Sequence, residues 1–126
     1  MKEQYDTYGA AESYIYATPK FTSKNSLEDT RRFLAHLGSP AQDRKILHVA
    51  GTNGKGSVCA YLCSALQTAG ISCGMFTSPH LVCMRERFRI NGEIVSKERF
   101  LWAFLKVKEA LKTLPQPLAA AGYHPT

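Results

Sequence analysis

Apolar positions recur along this chain in two periods, and the change from one to the other divides it. Leu27, Phe33, Leu34 and Leu37 share one face at helical spacing. Asn25 is placed to cap that helix with Glu28 three residues on, as in a capping box, and Gly38 and Pro40 stop it. Ile46, Leu47, Val49 and Ala50 then form a short continuous apolar run, which predicts a buried strand. Helical spacing returns with Val58, Cys59, Leu62, Cys63, Leu66 and Ala69, predicting a helix from about Lys55 to Ala69 that Gly70 ends. Ile71 to Phe76 reads as a second strand.

Arg87-Phe88-Arg89-Ile90 and Glu93-Ile94-Val95 flank Asn91-Gly92, the signature of a hairpin with a type I′ turn. Phe88, Ile90 and Ile94 face one way in it, and Arg87 and Arg89 the other. Ser96 caps a last helix whose Phe100, Leu101, Phe104, Leu105 and Leu111 face the sheet, with Trp102 packing at its margin. Residues 1–24, rich in tyrosine and interrupted by Pro19, read as irregular. Residues 115–126, with Pro115, Pro117, an alanine run and Gly122, read as a loop. His36 reads as a surface or half-buried residue.

Strand, helix and strand over 46–76 make a right-handed βαβ unit with parallel strands. The expected class is therefore α/β. Ligands of such sheets gather at the carboxyl ends of the strands, where residues 51–57 and 77–80 both begin. The first of these segments is Gly51-Thr52-Asn53-Gly54-Lys55-Gly56-Ser57. Glycines let the backbone curl so that its N–H groups converge, and the following helix presents its positive dipole end to an anion. Lys55 between two glycines would neutralise phosphate oxygens. The spacing departs from G-x-x-x-x-G-K-[ST]: Val49 stands at the first glycine, and Gly56 at the hydroxyl position that a small kinase or GTPase would need.

His-Val-Ala-Gly-Thr-Asn-Gly-Lys-Gly-Ser at 48–57, Thr-Ser-Pro-His-Leu at 77–81 and Glu-Arg-Phe-Arg-Ile-Asn-Gly at 86–92 stand in that order. Together they resemble the folylpolyglutamate and dihydrofolate synthases of the Mur ligase superfamily, over residues 27–112. The resemblance implies a P-loop-type three-layer domain with a mainly parallel sheet. The resemblance further implies that this domain is incomplete, residues 1–126 being expected to form the amino-terminal portion of a Mur-ligase-like ATP-binding domain without the carboxyl-terminal glutamate-ligase domain. It also implies the activity, an ATP-dependent amide ligase that joins L-glutamate to a folate or to dihydropteroate through an acyl phosphate, in folate and one-carbon metabolism.

ATP would sit on residues 51–57, with Lys55 as the catalytic cation. The resemblance assigns Ser78 to Mg²⁺; spacing alone leaves it between a metal-ligating hydroxyl and Ser-Pro turn chemistry. His80, Leu81 and Arg87 are candidates for substrate contact. Arg87 and Arg89 read either as a clamp for substrate carboxylates or as an exposed basic strand face. Cys83-Met84-Arg85 departs from the Arg-Phe-Asn often found before Glu-Arg in the family. No side chain reads as a general base for the glutamate amine.

Composition narrows the picture further. Lys plus Arg is 16 against 10 Asp plus Glu, giving a formal charge of +6 that suits anionic ligands. The basic residues are scattered, so nucleic acid is not an expected partner. The four cysteines, Cys59, Cys63, Cys73 and Cys83, lack C-x-x-C spacing; Cys59 and Cys63, four apart on the helix after the loop, read as small hydrophobes on its apolar face, with zinc ligation the weaker alternative. No apolar run approaches the ~18 residues of a membrane span. Expected partners are thus small molecules alone, for a cytoplasmic protein that is monomeric at full length. Acting by itself the chain is expected to bind nucleotide without catalysis. The competing readings are a fragment of another Mur-type ligase, and a nucleotide- or folate-binding module without chemistry.

Overall fold

The computed structural model describes residues 7–18 and 26–115. It divides into two compact units, Met1–Lys45 with Leu101–Thr126, and Ile46–Phe100.

In the first unit, α1 (Tyr8–Ala17) lies within the stretch expected to be irregular. Thr7 opens it, its Oγ1 accepting the Ala10 N–H at 3.2 Å. Ala11 is buried, and Tyr14 meets Phe104 edge to face with centroids 5.7 Å apart. The Lys108 ammonium lies 4.1 Å from the Tyr14 centroid, a cation–π contact on the same ring. Helix α2 (Leu27–His36) forms as expected, but its cap is Ser26, whose Oγ accepts the Asp29 N–H at 3.0 Å. Asn25 lies outside the described residues. Phe33 is buried on α2. So is Asp29, with Arg32 3.3 Å away. His36 is exposed, and its Nε2 is hydrogen-bonded to Thr113 Oγ1 at 2.9 Å.

The second unit holds α3 (Lys55–Thr68), β1 (Gly74–Phe76), a 3₁₀ turn (Met84–Arg87), β2 (Phe88–Ile90) and β3 (Glu93–Ile94). The sheet has the order β1-β2-β3 and both pairs are antiparallel: Met75 sits opposite Arg89, and Ile90 opposite Glu93. The hairpin turn is as expected, with φ of 50° at Asn91 and 81° at Gly92. Asn91 also ties the turn to the strand before it. Its N–H donates to Cys73 O at 2.8 Å, and its Oδ1 accepts from Cys73 N at 2.9 Å.

The chain is α/β, yet the parallel pair expected of it is not formed. Residues 46–50 form neither helix nor ladder among the described residues, and Ile46 and Leu47 are 71% and 63% exposed. An apolar run makes a buried strand only when neighbours take up its N–H and C=O groups. β1 is shorter than the expected 71–76, and it pairs with β2 instead.

Helix α4 (Lys97–Thr113) starts at Ser96, whose Oγ accepts the Arg99 N–H at 3.1 Å. Its Phe100 packs on Phe88 of β2 at 5.8 Å, and Phe88 on Phe76 of β1 at 5.2 Å. Phe100 and Phe104, expected to share one surface, thus have different partners. Trp102 is exposed instead of packed, with Lys106 Nζ 5.9 Å from its ring. No large side chain among the described residues is fully enclosed, so the core is thin.

Candidate functional site

Residues 51–57 leave the 46–50 segment and turn directly into α3. Gly54 makes the turn possible: at φ 77° it occupies the left-handed region, which other residues enter at a cost. It is also the N-cap, and it offers no side-chain oxygen to the first-turn amides of α3. Val58 N–H returns to Gly54 O at 3.0 Å. The amides ahead of it are the orphan donors every helix start presents, and they lie where the helix dipole is positive.

Lys55 folds back over this loop. Its Nζ donates to Gly51 O at 2.6 Å and to Thr52 O at 3.4 Å. The ammonium therefore sits at the mouth of the turn, held by carbonyls that it can leave for a stronger anionic acceptor. Thr52, Asn53, Gly56 and Ser57 are exposed around it.

Gly56 and Thr77 line one cavity of about 340 Å³, together with Ser64, Gln67 and Arg89. Gly56, just inside α3, and Thr77, just after β1, thus line one cavity, although the parallel strands from whose ends the two segments were expected to leave are not formed. Ser78 follows at once and is exposed, although it is not part of the cavity lining. The Ser78–Pro79 peptide is cis. Arg89, expected to face solvent or clamp a carboxylate, is half-buried and donates to Gly92 O at 3.2 Å.

Of the candidate substrate residues, His80 and Arg87 are joined: Arg87 Nε donates to His80 Nδ1 at 2.8 Å. Leu81 stands out from the surface, 92% exposed, and Val82 beside it is 88% exposed. The residue that shapes this stretch was not singled out by sequence. Glu86 Oε2 accepts from Leu81 N at 3.0 Å, while Oε1 accepts from Val82 N and Cys83 N, each at 2.8 Å. These backbone donors, Cys83 foremost and then Leu81 and Val82, hold its carboxyl down to about 2 from an ordinary 4.5. The one legible signal was a glutamate three residues after Cys83, the N-cap of the 3₁₀ turn, the capping-box spacing.

No group of three or more His, Cys, Asp or Glu side chains converges to hold a metal among the described residues. All four cysteines are free thiols, Cys63 buried and the others half-buried. Burial, with the neighbouring Cys63 thiol, pushes the Cys73 thiol above its usual range. No helix among the described residues is long and apolar enough to cross a membrane.

A glycine-lysine loop opening an uncapped helix, beside the end of a strand that leads into Ser-Pro-His-Leu, is the arrangement of an α/β unit of the Mur ligase type. The solved structures it resembles carry this further. It superposes on the E. coli FolC chain in complex with DHPP and ADP with a TM-score of 0.76 and 29% identity, over 94% of this chain and 28% of that one. A folylpolyglutamate synthase complex with AMPPCP and folate matches with a TM-score of 0.78 and 30% identity, over 86% of this chain and 26% of that one. Among curated relatives, the dihydrofolate synthase/folylpolyglutamate synthase of Bacillus subtilis is 38% identical over 112 residues, 89% of this chain. The folylpolyglutamate synthase of Arabidopsis thaliana is 42% identical over 97 residues, 75% of this chain. No family model matches. The chain belongs to the folylpolyglutamate and dihydrofolate synthase family, and it spans 26% and 16% of the length of those two relatives.

Proposed function

We propose that the protein acts in an ATP-dependent ligase that joins L-glutamate to the carboxylate of a folate or of dihydropteroate. In this reading residues 1–126 are the amino-terminal portion of the ATP-binding domain. They supply the nucleotide loop and part of the substrate surface, and a carboxyl-terminal glutamate-ligase domain completes the reaction. The observation that carries it is the start of α3, where a left-handed Gly54 leaves the first-turn amides uncapped beneath the Lys55 ammonium.

The chain's own residues do electrostatic work. Residues 51–57 would receive the triphosphate, and Lys55 would leave the Gly51 carbonyl to spread positive charge over the transferring phosphoryl oxygens. The carboxylate would take the γ-phosphoryl group, releasing ADP, and the glutamate amine would then attack the acyl phosphate to form the amide and release phosphate. Ser78 is the one protein ligand proposed for Mg²⁺. The donor chemistry fits: with one exposed hydroxyl as its protein ligand, an ion here would be held mainly by phosphate oxygens and water, as Mg²⁺ is. When bound, the ion would neutralise charge on the phosphates. His80, Leu81 and Arg87 would meet the folate. The full-length protein is read as a cytoplasmic monomer with small-molecule partners and no nucleic acid.

Calorimetric titration of the chain with AMPPCP in the presence of Mg²⁺, then with folate, tests the reading. Saturable binding of both is expected. Failure to bind AMPPCP at millimolar concentration would remove the nucleotide site and the ligase reading with it.

A further inference from the structure

We propose that the cavity between α3 and the sheet is a binding site for inorganic phosphate, with the Arg89 guanidinium as its charged anchor. That the ion arrives as a product of the reaction rests on the ligase reading; the site itself rests on its residues.

The cavity has two walls. Gly56, Ala60 and Ser64 stand four apart on α3 and so share one face of it. On the sheet, Met75 sits opposite Arg89, and the pairing continues to Thr77, whose N–H donates to Arg87 O at 3.0 Å. Alternation along the strands puts Met75, Thr77 and Arg89 on one sheet face. The space of about 340 Å³ between the walls reaches Gly56, the residue after Lys55.

Its lining carries charge of one sign. Arg89 is half-buried, and its contact with Gly92 O leaves most of its N–H groups open. No carboxylate pairs with it among the described residues, and no Asp or Glu lines the cavity. A guanidinium drawn partly out of water usually has an anionic partner, and this one lacks it. The neutral groups beside it also have protons to give. Cys63 donates to Gln67 Oε1 at 3.8 Å, which leaves the Gln67 NH₂ available, and Ser64 and Thr77 add hydroxyls. Donors therefore come from both walls. That suits a tetrahedral ion with oxygens on every side better than a planar carboxylate, and the volume leaves room for bridging water. In the ligase reading phosphate is released beside Gly56, so the cavity gives it a place to go while ADP still occupies the loop.

Potassium phosphate titrated calorimetrically into the 126-residue chain, held saturated with Mg²⁺ and AMPPCP so that the loop is occupied, tests the proposal. Saturable binding at about millimolar concentration is expected. Arg89→Gln should weaken it by at least about tenfold, as loss of a charge-assisted hydrogen bond does, while AMPPCP affinity stays within about twofold. Ser64→Glu, at an exposed helix position, puts a carboxylate into the cavity and should weaken phosphate binding similarly with the thermal midpoint kept. Sodium acetate at the same concentrations should give no saturable heat.

Phosphate that does not bind, or that binds wild type and Arg89→Gln equally, overturns the proposal and leaves the ligase reading in place. So does a loss that AMPPCP affinity and the thermal midpoint share, or acetate binding as tightly as phosphate. If Arg89→Gln does not fold, Ser64→Glu decides alone: unchanged phosphate affinity overturns the site, and a loss of the expected size supports it. If the wild type does not bind AMPPCP, the ligase reading falls and the phosphate titration is made on Lys55→Ala, whose loop lacks its cation. Saturable binding there that adding Arg89→Gln removes keeps the site, and its absence ends it.

Discussion

Arg87 donates its Nε–H to Nδ1 of His80 at 2.8 Å, and this fixes the imidazole's tautomer. A neutral histidine that accepts at Nδ1 carries its proton on Nε2, which leaves Nε2–H as the donor it can offer a substrate. Lysine cannot replace a donor fixed in the guanidinium plane. Arg87→Lys should therefore mix the two His80 tautomers, seen in ring ¹⁵N shifts, and lower folate affinity by up to about tenfold. Unaltered ring shifts would show that the pair does not persist in solution.

Lys55 touches only loop carbonyls and lies at the surface, so its removal should cost affinity and not fold. Lys55→Ala is expected to weaken AMPPCP binding by roughly 10- to 100-fold, the range of a charge-assisted hydrogen bond. Stability should stay within about 0.5 kcal/mol by urea denaturation. Equal AMPPCP affinity in the two proteins would count against the loop as the phosphate site.

Ser78→Ala separates metal from nucleotide. A hydroxyl that helps hold Mg²⁺ matters only when the ion is present. The variant should lower AMPPCP affinity measured with Mg²⁺ and leave the EDTA value alone. The same loss in both conditions would strike Ser78 from the metal ligands.

Acid should loosen the 81–83 backbone through Glu86. Its carboxyl is lowered from 4.5 to about 2 by backbone donors, so folding favours the ionised form. The contribution is complete above about pH 4.5 and is lost as pH falls through about 2. Amide exchange at Leu81, Val82 and Cys83 should thus accelerate between pH 4.5 and 2 in the wild type, beyond the intrinsic trend, and not in Glu86→Gln. Parallel profiles in the two proteins would break the assignment.

Gly54→Ala isolates the backbone term at the start of α3. A Cβ there would meet nothing within 4 Å, so only the left-handed conformation is penalised. The expected cost is about 1–2 kcal/mol in urea denaturation, with AMPPCP affinity reduced as the turn relaxes. A variant as stable as wild type would mean that the turn is not held at positive φ.

What could be read from sequence was what short-range chemistry decides. Asn91-Gly92 takes positive φ at both residues, Ser96 caps α4, and α3 runs from Lys55 to Thr68 much as its apolar spacing implies. The pairing of 46–50 was misread because a strand exists only with its neighbours, and the pattern Ile-Leu-x-Val-Ala carries no record of them. α1 was missed because its apolar residues are not gathered on one face, although Thr7 stood ready as its cap. Lys55, Gly54 and the adjoining end of β1 were legible through motif spacing. The three amides on Glu86 were not, since the direction of a peptide group leaves no periodicity behind. Whether Ser78 meets a metal is likewise a matter of geometry that spacing does not encode.

The bare 46–50 run has a practical consequence for anyone handling the protein. An exposed apolar run with no ladder partner among the described residues can pair with a second copy of itself, and the charged residues that would discourage this, Asp43, Arg44 and Lys45, lie on one flank only. Association should therefore rise steeply with concentration and fall with mild chaotrope. Dilute samples are where the nucleotide loop is best measured.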